Sequence, residues 1–167
     1  GYTKRVAERL TSAVGASADG KYLSVRFGNV LGSRGSVLET FRRQIADGGP
    51  VTVTSREVTR YFMTVEEAVQ LVIQAGAIGD DSQALVLDMG EPVRIADVAR
   101  RLVAESPRPV EIVYTGLRPG EKAHEVLFSD KEKPRRSGHP LIMTVDVPPL
   151  SDAELVEVTT DTITAYC

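Results

Sequence analysis

What this chain of 167 residues has little of narrows its function first. A single cysteine, Cys167, excludes an internal disulfide and favours chemistry in a reducing compartment. With only two histidines beside it, a His/Cys zinc site is not expected, nor any other metal site. Tryptophan is absent and aromatics make up 5% of the chain, which argues against a stacking platform for single-stranded nucleic acid. The 20 Lys+Arg are offset by 23 Asp+Glu, and a formal net charge of -3 gives no general pull toward nucleic acid or an anionic membrane. No run approaches the roughly 20 consecutive apolar residues of a membrane span, and no secretory signal opens the chain. The sequence starts at Gly1 inside a helical pattern, which reads as a piece of something longer.

What is there is a mixed α/β pattern. Residues 3–14 place Val6, Leu10, Ala13 and Val14 on one helical stripe, and Lys21–Phe27 alternates like a strand. The loop Gly28–Gly35 carries Asn29 and Ser33. Ser36-Val-Leu-Glu39 has the capping-box spacing and opens a helix that buries Val37, Phe41 and Ile45, stopped by Gly48-Gly49-Pro50. Val51–Thr54 reads as a short strand. A second capping box, Thr64–Glu67, opens an apolar helix through Val65, Val69, Val72 and Ile73. Ala84–Leu87, Val93–Ile95, Val110–Tyr114 and Leu141–Val145 read as short strands. Ile95, Val98, Ala99, Leu102 and Val103 form a helical stripe, and Ala153–Val158 a final one.

Three loops share a chemical theme. Gly28–Gly35 runs into a capped helix start, where unpaired amides and the positive end of the dipole favour an anion. Arg60 sits at the end of a strand-like segment, and Arg118-Pro-Gly-Glu121 offers an arginine and a carboxylate around a turn. Guanidinium groups match phosphate oxygens with a planar fork, and an ionised acid can accept from both hydroxyls of a ribose. Each loop alone also reads as an ordinary connector, a solvated charge or a favourable Pro-Gly turn. Asp80-Asp81 and Glu66-Glu67 read as solvated neighbours, and His124 and His139 have no nucleophile partner in view.

Taken in order, Lys4, Arg26–Val37, Gly48–Thr54, Thr59–Thr64, Val86–Pro92 and Thr115–Lys122 resemble the nucleotide-sugar dehydratases of polysaccharide biosynthesis, over about residues 2–130. These are extended short-chain dehydrogenase/reductase proteins, typically UDP-N-acetylglucosamine 4,6-dehydratases. The likeness is closer to the long forms, whose parent proteins carry N-terminal membrane helices with this domain on the cytoplasmic side. It implies an α/β fold comprising the end of a Rossmann-type sheet and a small mixed α/β substrate-binding domain. Residues 1–35 would be a remnant of the dinucleotide-binding domain. Residues 36–130 would be mostly substrate-binding, with 65–90 returning to the sheet, and 131–167 a C-terminal extension.

The resemblance also implies roles. Lys4 would hold the nicotinamide ribose, in the family's Tyr/Met-x-x-x-Lys motif. Asn29 would lie near the diphosphate and sugar, and Ser36 and Val37 would contact phosphate and base from the helix start. Thr52 and Thr54 would hold the uracil, Arg60 and Arg118 the diphosphate, and Glu121 the uridine ribose. The family's Leu-Tyr-Glu-Glu-Leu is replaced here by Ala123-His-Glu-Val-Leu127. The parent would need NAD or NADP, but the chain contains no Gly-x-Gly-x-x-Gly turn. It is therefore expected to bind UDP-sugar, not to bind the cofactor or turn over alone, and to self-associate as a homo-oligomer without the N-terminal Rossmann half. A UDP-sugar 4-epimerase of the same superfamily and a non-catalytic nucleotide-sugar binding module remain the alternatives.

Overall fold

The computed structural model describes residues 2–33, 35–151 and 154; of the helical stretch expected at Ala153–Val158, all but Glu154 lies outside the described residues. In chain order the elements are α1 (Tyr2–Gly15), β1 (Ser24–Arg26), β2 (Asn29–Val30), α2 (Val37–Ala46), β3 (Val51–Val53), β4 (Thr59–Arg60) and β5 (Phe62–Met63). There follow α3 (Val65–Ile78), β6 (Gln83–Leu87), β7 (Val93–Arg94), α4 (Ile95–Ala104), β8 (Ile112–Tyr114), β9 (Arg135–Arg136) and β10 (Ile142–Asp146). They form two compact units.

The first unit takes the described residues of Gly1–Arg26, Leu71–Asp88 and Phe128–Cys167. Its sheet runs β1-β6-β10-β9, with β1 parallel to β6 and β10 antiparallel to both β6 and β9. β6 is flanked on both edges, and Ala84, Leu85, Val86 and Leu87 are all buried, so its apolar run has no outward face. Residues 135–146, within the stretch read as an extension, supply β9 and β10 to this sheet. Helix α1 is tied down through polar groups: Ser12 Oγ, buried, donates to the Val147 carbonyl at 2.7 Å. Leu10 and Val14, on its apolar stripe, are exposed.

A four-member ion network closes this unit. Glu8 accepts from Arg26 Nε at 2.6 Å and from Arg5 Nη1 at 2.9 Å. Glu132 accepts from Arg26 Nη2 and Arg5 Nη1, both at 2.7 Å, and from the Ser129 amide at 2.8 Å. The carboxylates of Glu8 and Glu132 are only 10% and 7% exposed, so each buried charge is matched by charge-assisted hydrogen bonds. The paired Arg26 holds the Glu132 carboxyl far below the usual carboxylate range.

Gly79, just past α3, is fixed by contact. A Cβ there would stand 2.7 Å from Leu23 Cδ2, 2.8 Å from Leu85 Cδ1 and 2.9 Å from the Ala75 carbonyl oxygen. Gly79→Ala is expected to cost about 1–3 kcal/mol by overpacking, read as a lower urea midpoint. An unchanged midpoint would show that the packing around Gly79 gives way freely.

The second unit comprises Phe27–Gln70 and Met89–Leu127. Its core gathers Phe41, Val51, Val53, Val58, Ile95, Ala96 and Ala99, where α2 and α4 pack with the parallel pair β3–β8. The helical stripe read on residues 95–103 meets this core, with Ile95, Ala96 and Ala99 buried and Val98, Leu102 and Val103 packed at its edge. Two further two-stranded pairings are β2 parallel to β5 and β4 antiparallel to β7.

Helix α3 starts as its capping box predicts: Thr64 Oγ1 accepts from the Glu67 amide at 3.2 Å, and Glu67 Oε2 accepts from the Thr64 amide at 2.8 Å. The apolar row read along it is not its buried side. Val65, Val69, Val72 and Ile73 are all exposed, and Ala68, Leu71 and Ala75 are the buried residues. Periodicity alone could not choose between the two apolar faces.

Candidate functional site

The site is built at the mouth of α2, wholly within the second unit. Ser36 stands in extended conformation as the N-cap, and its Oγ accepts from the Glu39 amide at 3.4 Å. The Glu39 carboxylate reaches back past Ser36 to the Gly35 amide at 2.8 Å. The box thus uses the Gly35 and Glu39 amides, while Val37 and Leu38 stand in the first turn of the helix, where amides have no partner within the helix itself. They point their positive dipole end outward.

In front of them lies a cavity of about 310 Å³, at the lower end of the range for small-molecule sites. Six of the sequence-predicted residues line it: Asn29, Ser36, Val37, Thr54, Arg60 and Glu121. Ser33, Gly35, Val58, Phe62 and Ile95 are the other lining residues among those described. Val58 and Ile95 also belong to the core, so one side of the cavity is a fixed apolar surface. Of these five, Ser33 and Gly35 read as members of the glycine-rich loop and Ile95 as part of a helical stripe, none as a site residue. The apolar three carry no signal that separates a cavity wall from ordinary core.

Arg60 is held by backbone. Its Nη1 donates to the carbonyls of Thr59 at 2.7 Å and Ala123 at 3.0 Å, and its Nη2 to the Lys122 carbonyl at 3.0 Å. Its Nε faces Glu125 Oε1 at 3.9 Å. This leaves the Nε hydrogen and one Nη2 hydrogen outside those three bonds, so the group presents a fixed charge with a narrow donor edge.

Glu121 closes the Arg-Pro-Gly-Glu turn. Its amide donates to the Arg118 carbonyl at 3.0 Å, and its Oε2 accepts from the Arg118 amide at 3.1 Å. Gly120 has φ +79, which a type II turn requires after proline. The Arg118 side chain itself is exposed and is not among the lining residues, and neither is Thr52. Strand alternation explains Thr52: Val51 and Val53 point inward, so Thr52 points out, where Gln44 donates to its Oγ1 at 2.7 Å and accepts from its amide at 3.0 Å. Thr54 lies past the strand end and turns to the cavity. Lys4 is exposed in the first turn of α1, in the other unit.

Among the described residues no group of three or more His, Cys, Asp or Glu could hold a metal ion. None of the described helices is long and apolar enough to cross a membrane.

This α/β arrangement is part of an extended short-chain dehydrogenase/reductase fold. The X-ray structure of Pen from Bacillus thuringiensis matches 94% of this chain and 55% of its own with a TM-score of 0.78 and 29% identity. The chain belongs to the family described as polysaccharide biosynthesis protein, which matches residues 1–147. The probable polysaccharide biosynthesis protein EpsC of Bacillus subtilis (strain 168) is 53% identical over 135 residues, 79% of this chain and 23% of the relative. The inverting UDP-N-acetylglucosamine 4,6-dehydratase of Campylobacter jejuni is 28% identical over 136 residues, 79% of this chain and 39% of the relative. Relatives named UDP-glucose 4-epimerase match as well. The chain therefore spans less than a quarter of EpsC and about half of Pen.

Proposed function

We propose that this chain carries the sugar-nucleotide side of an NAD(P)-dependent UDP-N-acetyl-hexosamine 4,6-dehydratase of surface polysaccharide synthesis. The observation that carries the reading is the meeting of Arg60, Glu121, Asn29 and the amino end of α2 around one cavity. In this reading the diphosphate lies between the Arg60 guanidinium and the Val37 and Leu38 amides, where a fixed cation and a helix dipole act on the same anion. The ribose hydroxyls donate to Glu121, whose carboxylate the Arg118 amide already orients. Thr54 faces the base and Asn29 the sugar side. These residues bind and orient.

Dehydration through a 4-keto sugar needs a hydride acceptor, which NAD(P) supplies when bound. This chain is proposed to lack most of its site. Lys4 is exposed on α1, and the sequence has no glycine turn of the dinucleotide-binding type. The chain alone is accordingly proposed to bind the sugar nucleotide without converting it.

Calorimetric titration with UDP and UDP-N-acetylglucosamine tests this: saturable binding is expected, and no heat up to millimolar ligand contradicts it. A 4-keto product formed by the chain with NAD would overturn the claim of inactivity. Glu121→Ala is expected to weaken UDP about 10-fold, the loss of a charged hydrogen-bonding partner, and to leave inorganic pyrophosphate binding unchanged. Equal losses for both ligands would remove Glu121 from the ribose. The relatives named epimerases favour UDP-sugar 4-epimerisation as the second reading. Product analysis on a longer protein containing this chain separates a 4-keto sugar from an epimer.

A further inference from the structure

The geometry points to Glu125 as a positioning residue that sets the Arg60 guanidinium for phosphate; this rests on the proposed binding of a nucleoside diphosphate by Arg60. The two cavity groups of opposite charge, Arg60 and Glu121, come from segments about 60 residues apart. What joins them is a strap between residues 59–61 and 122–125. The Thr59 amide donates to the Ala123 carbonyl at 3.0 Å, and Thr59 Oγ1 lies 2.9 Å from His124 Nδ1. Arg60 itself donates to the carbonyls of Lys122 and Ala123.

Glu125 is the member of this strap that meets both the peptide after Arg60 and the Arg60 side chain. Its Oε2 accepts from the Tyr61 amide at 3.0 Å, and its Oε1 faces Arg60 Nε at 3.9 Å. The two carboxylate oxygens thus fix the backbone just after Arg60 and attract the guanidinium that this backbone carries. Both side chains are largely covered, 28% exposed for Glu125 and 19% for Arg60, so solvent screens their attraction only in part.

The neighbouring chain makes room for this arrangement. At Gly28, a Cβ would stand 2.8 Å from Tyr61 Cβ, 2.9 Å from the Tyr61 carbonyl oxygen and 3.3 Å from Glu125 Oε2. Any side chain there would push the carboxylate and Tyr61 apart. The Asn29 amide then donates to that same Tyr61 carbonyl at 2.9 Å, so Tyr61, the residue after Arg60, is held at both its amide and its carbonyl. Glu125 does not line the cavity, and its effect on a ligand passes through Arg60.

The test is a double-mutant cycle read with two ligands, UDP and uridine, by calorimetry on the chain. Glu125→Ala is expected to weaken UDP about 5–20-fold and leave uridine unchanged, because only the phosphates meet Arg60. Glu125→Gln keeps an acceptor for the Tyr61 amide and should stay within about 3-fold of the parent. In an Arg60→Ala background, Glu125→Ala should have no further effect on UDP. If Glu125→Ala does not fold, Glu125→Asp, too short to reach the Tyr61 amide, takes its place in the cycle. The inference is overturned if UDP affinity survives at Glu125→Ala while Arg60→Ala loses it. It is equally overturned if UDP and uridine weaken together, or if the two substitutions multiply. Should Arg60→Ala bind UDP like the parent, the underlying diphosphate reading fails instead, and the inference with it.

Discussion

Glu132→Ala is expected to lower the unfolding free energy by about 3 kcal/mol at neutral pH, the low end for breaking a buried ion pair. The loss follows from what is left behind. Arg26 and Arg5 both donate to this carboxylate, and Arg26, only 18% exposed, would lose it while keeping Glu8. Glu132 also receives the Ser129 amide, so the turn that brings the chain back to α1 would loosen with it. The same network makes stability depend on acid. The folded-state pKa of Glu132 lies well below its ordinary value of 4.5, so its contribution is complete above about 4.5 and is lost as pH falls toward the folded value. Urea midpoints measured between pH 7 and pH 3 should fall for the parent protein and fall less for Glu132→Gln. Parallel curves would show that other groups govern the acid response.

Arg60→Ala should weaken UDP about 10–100-fold, the range for losing a hydrogen bond and charge at a phosphate. The effect has two sources. The guanidinium is the one cation lining the cavity among the described residues, and it also bonds the Lys122 and Ala123 carbonyls that hold the loop bearing Glu121. Arg60→Lys separates them, since an ammonium keeps the charge but loses the planar fork that spans three carbonyls. It is expected to fall between the parent and Arg60→Ala, whereas Arg118→Ala, at an exposed side chain outside the cavity wall, should cost less than either. Calorimetry across the three variants gives the order, and Arg118→Ala as the worst of them would move the diphosphate out of this cavity.

Local chemistry was the most readable part of the sequence. The Thr64 box forms both bonds its spacing predicts, and the Ser36 box forms one of them while its Glu39 carboxylate takes the Gly35 amide, because every partner lies within a few residues. The Ile95–Val103 stripe meets a core because only one face of that helix is apolar. Helix α3 has apolar residues on more than one side, and the row of larger valines turned out to be the exposed one. Contacts closed by long chain separations had no pattern to find. Glu132 reaches Arg5 and Arg26 over more than 100 residues, and nothing marks it among 23 acids. The strap on Arg60 is built largely from backbone carbonyls, which every residue possesses, so side-chain chemistry could name Arg60 and Glu121 but not what joins them. Thr52 and Thr54 show how a short strand limits such inference: one faces out from β3, and the other turns inward only because the strand stops at Val53.

The most direct measurement is a crystal structure of the chain with UDP. The account predicts the diphosphate within hydrogen-bonding reach of the Arg60 guanidinium and the amides at the start of α2, with the ribose hydroxyls on Glu121. Ordered UDP held elsewhere on the molecule, with Arg60 and Glu121 still bound only to their own loops, would contradict it.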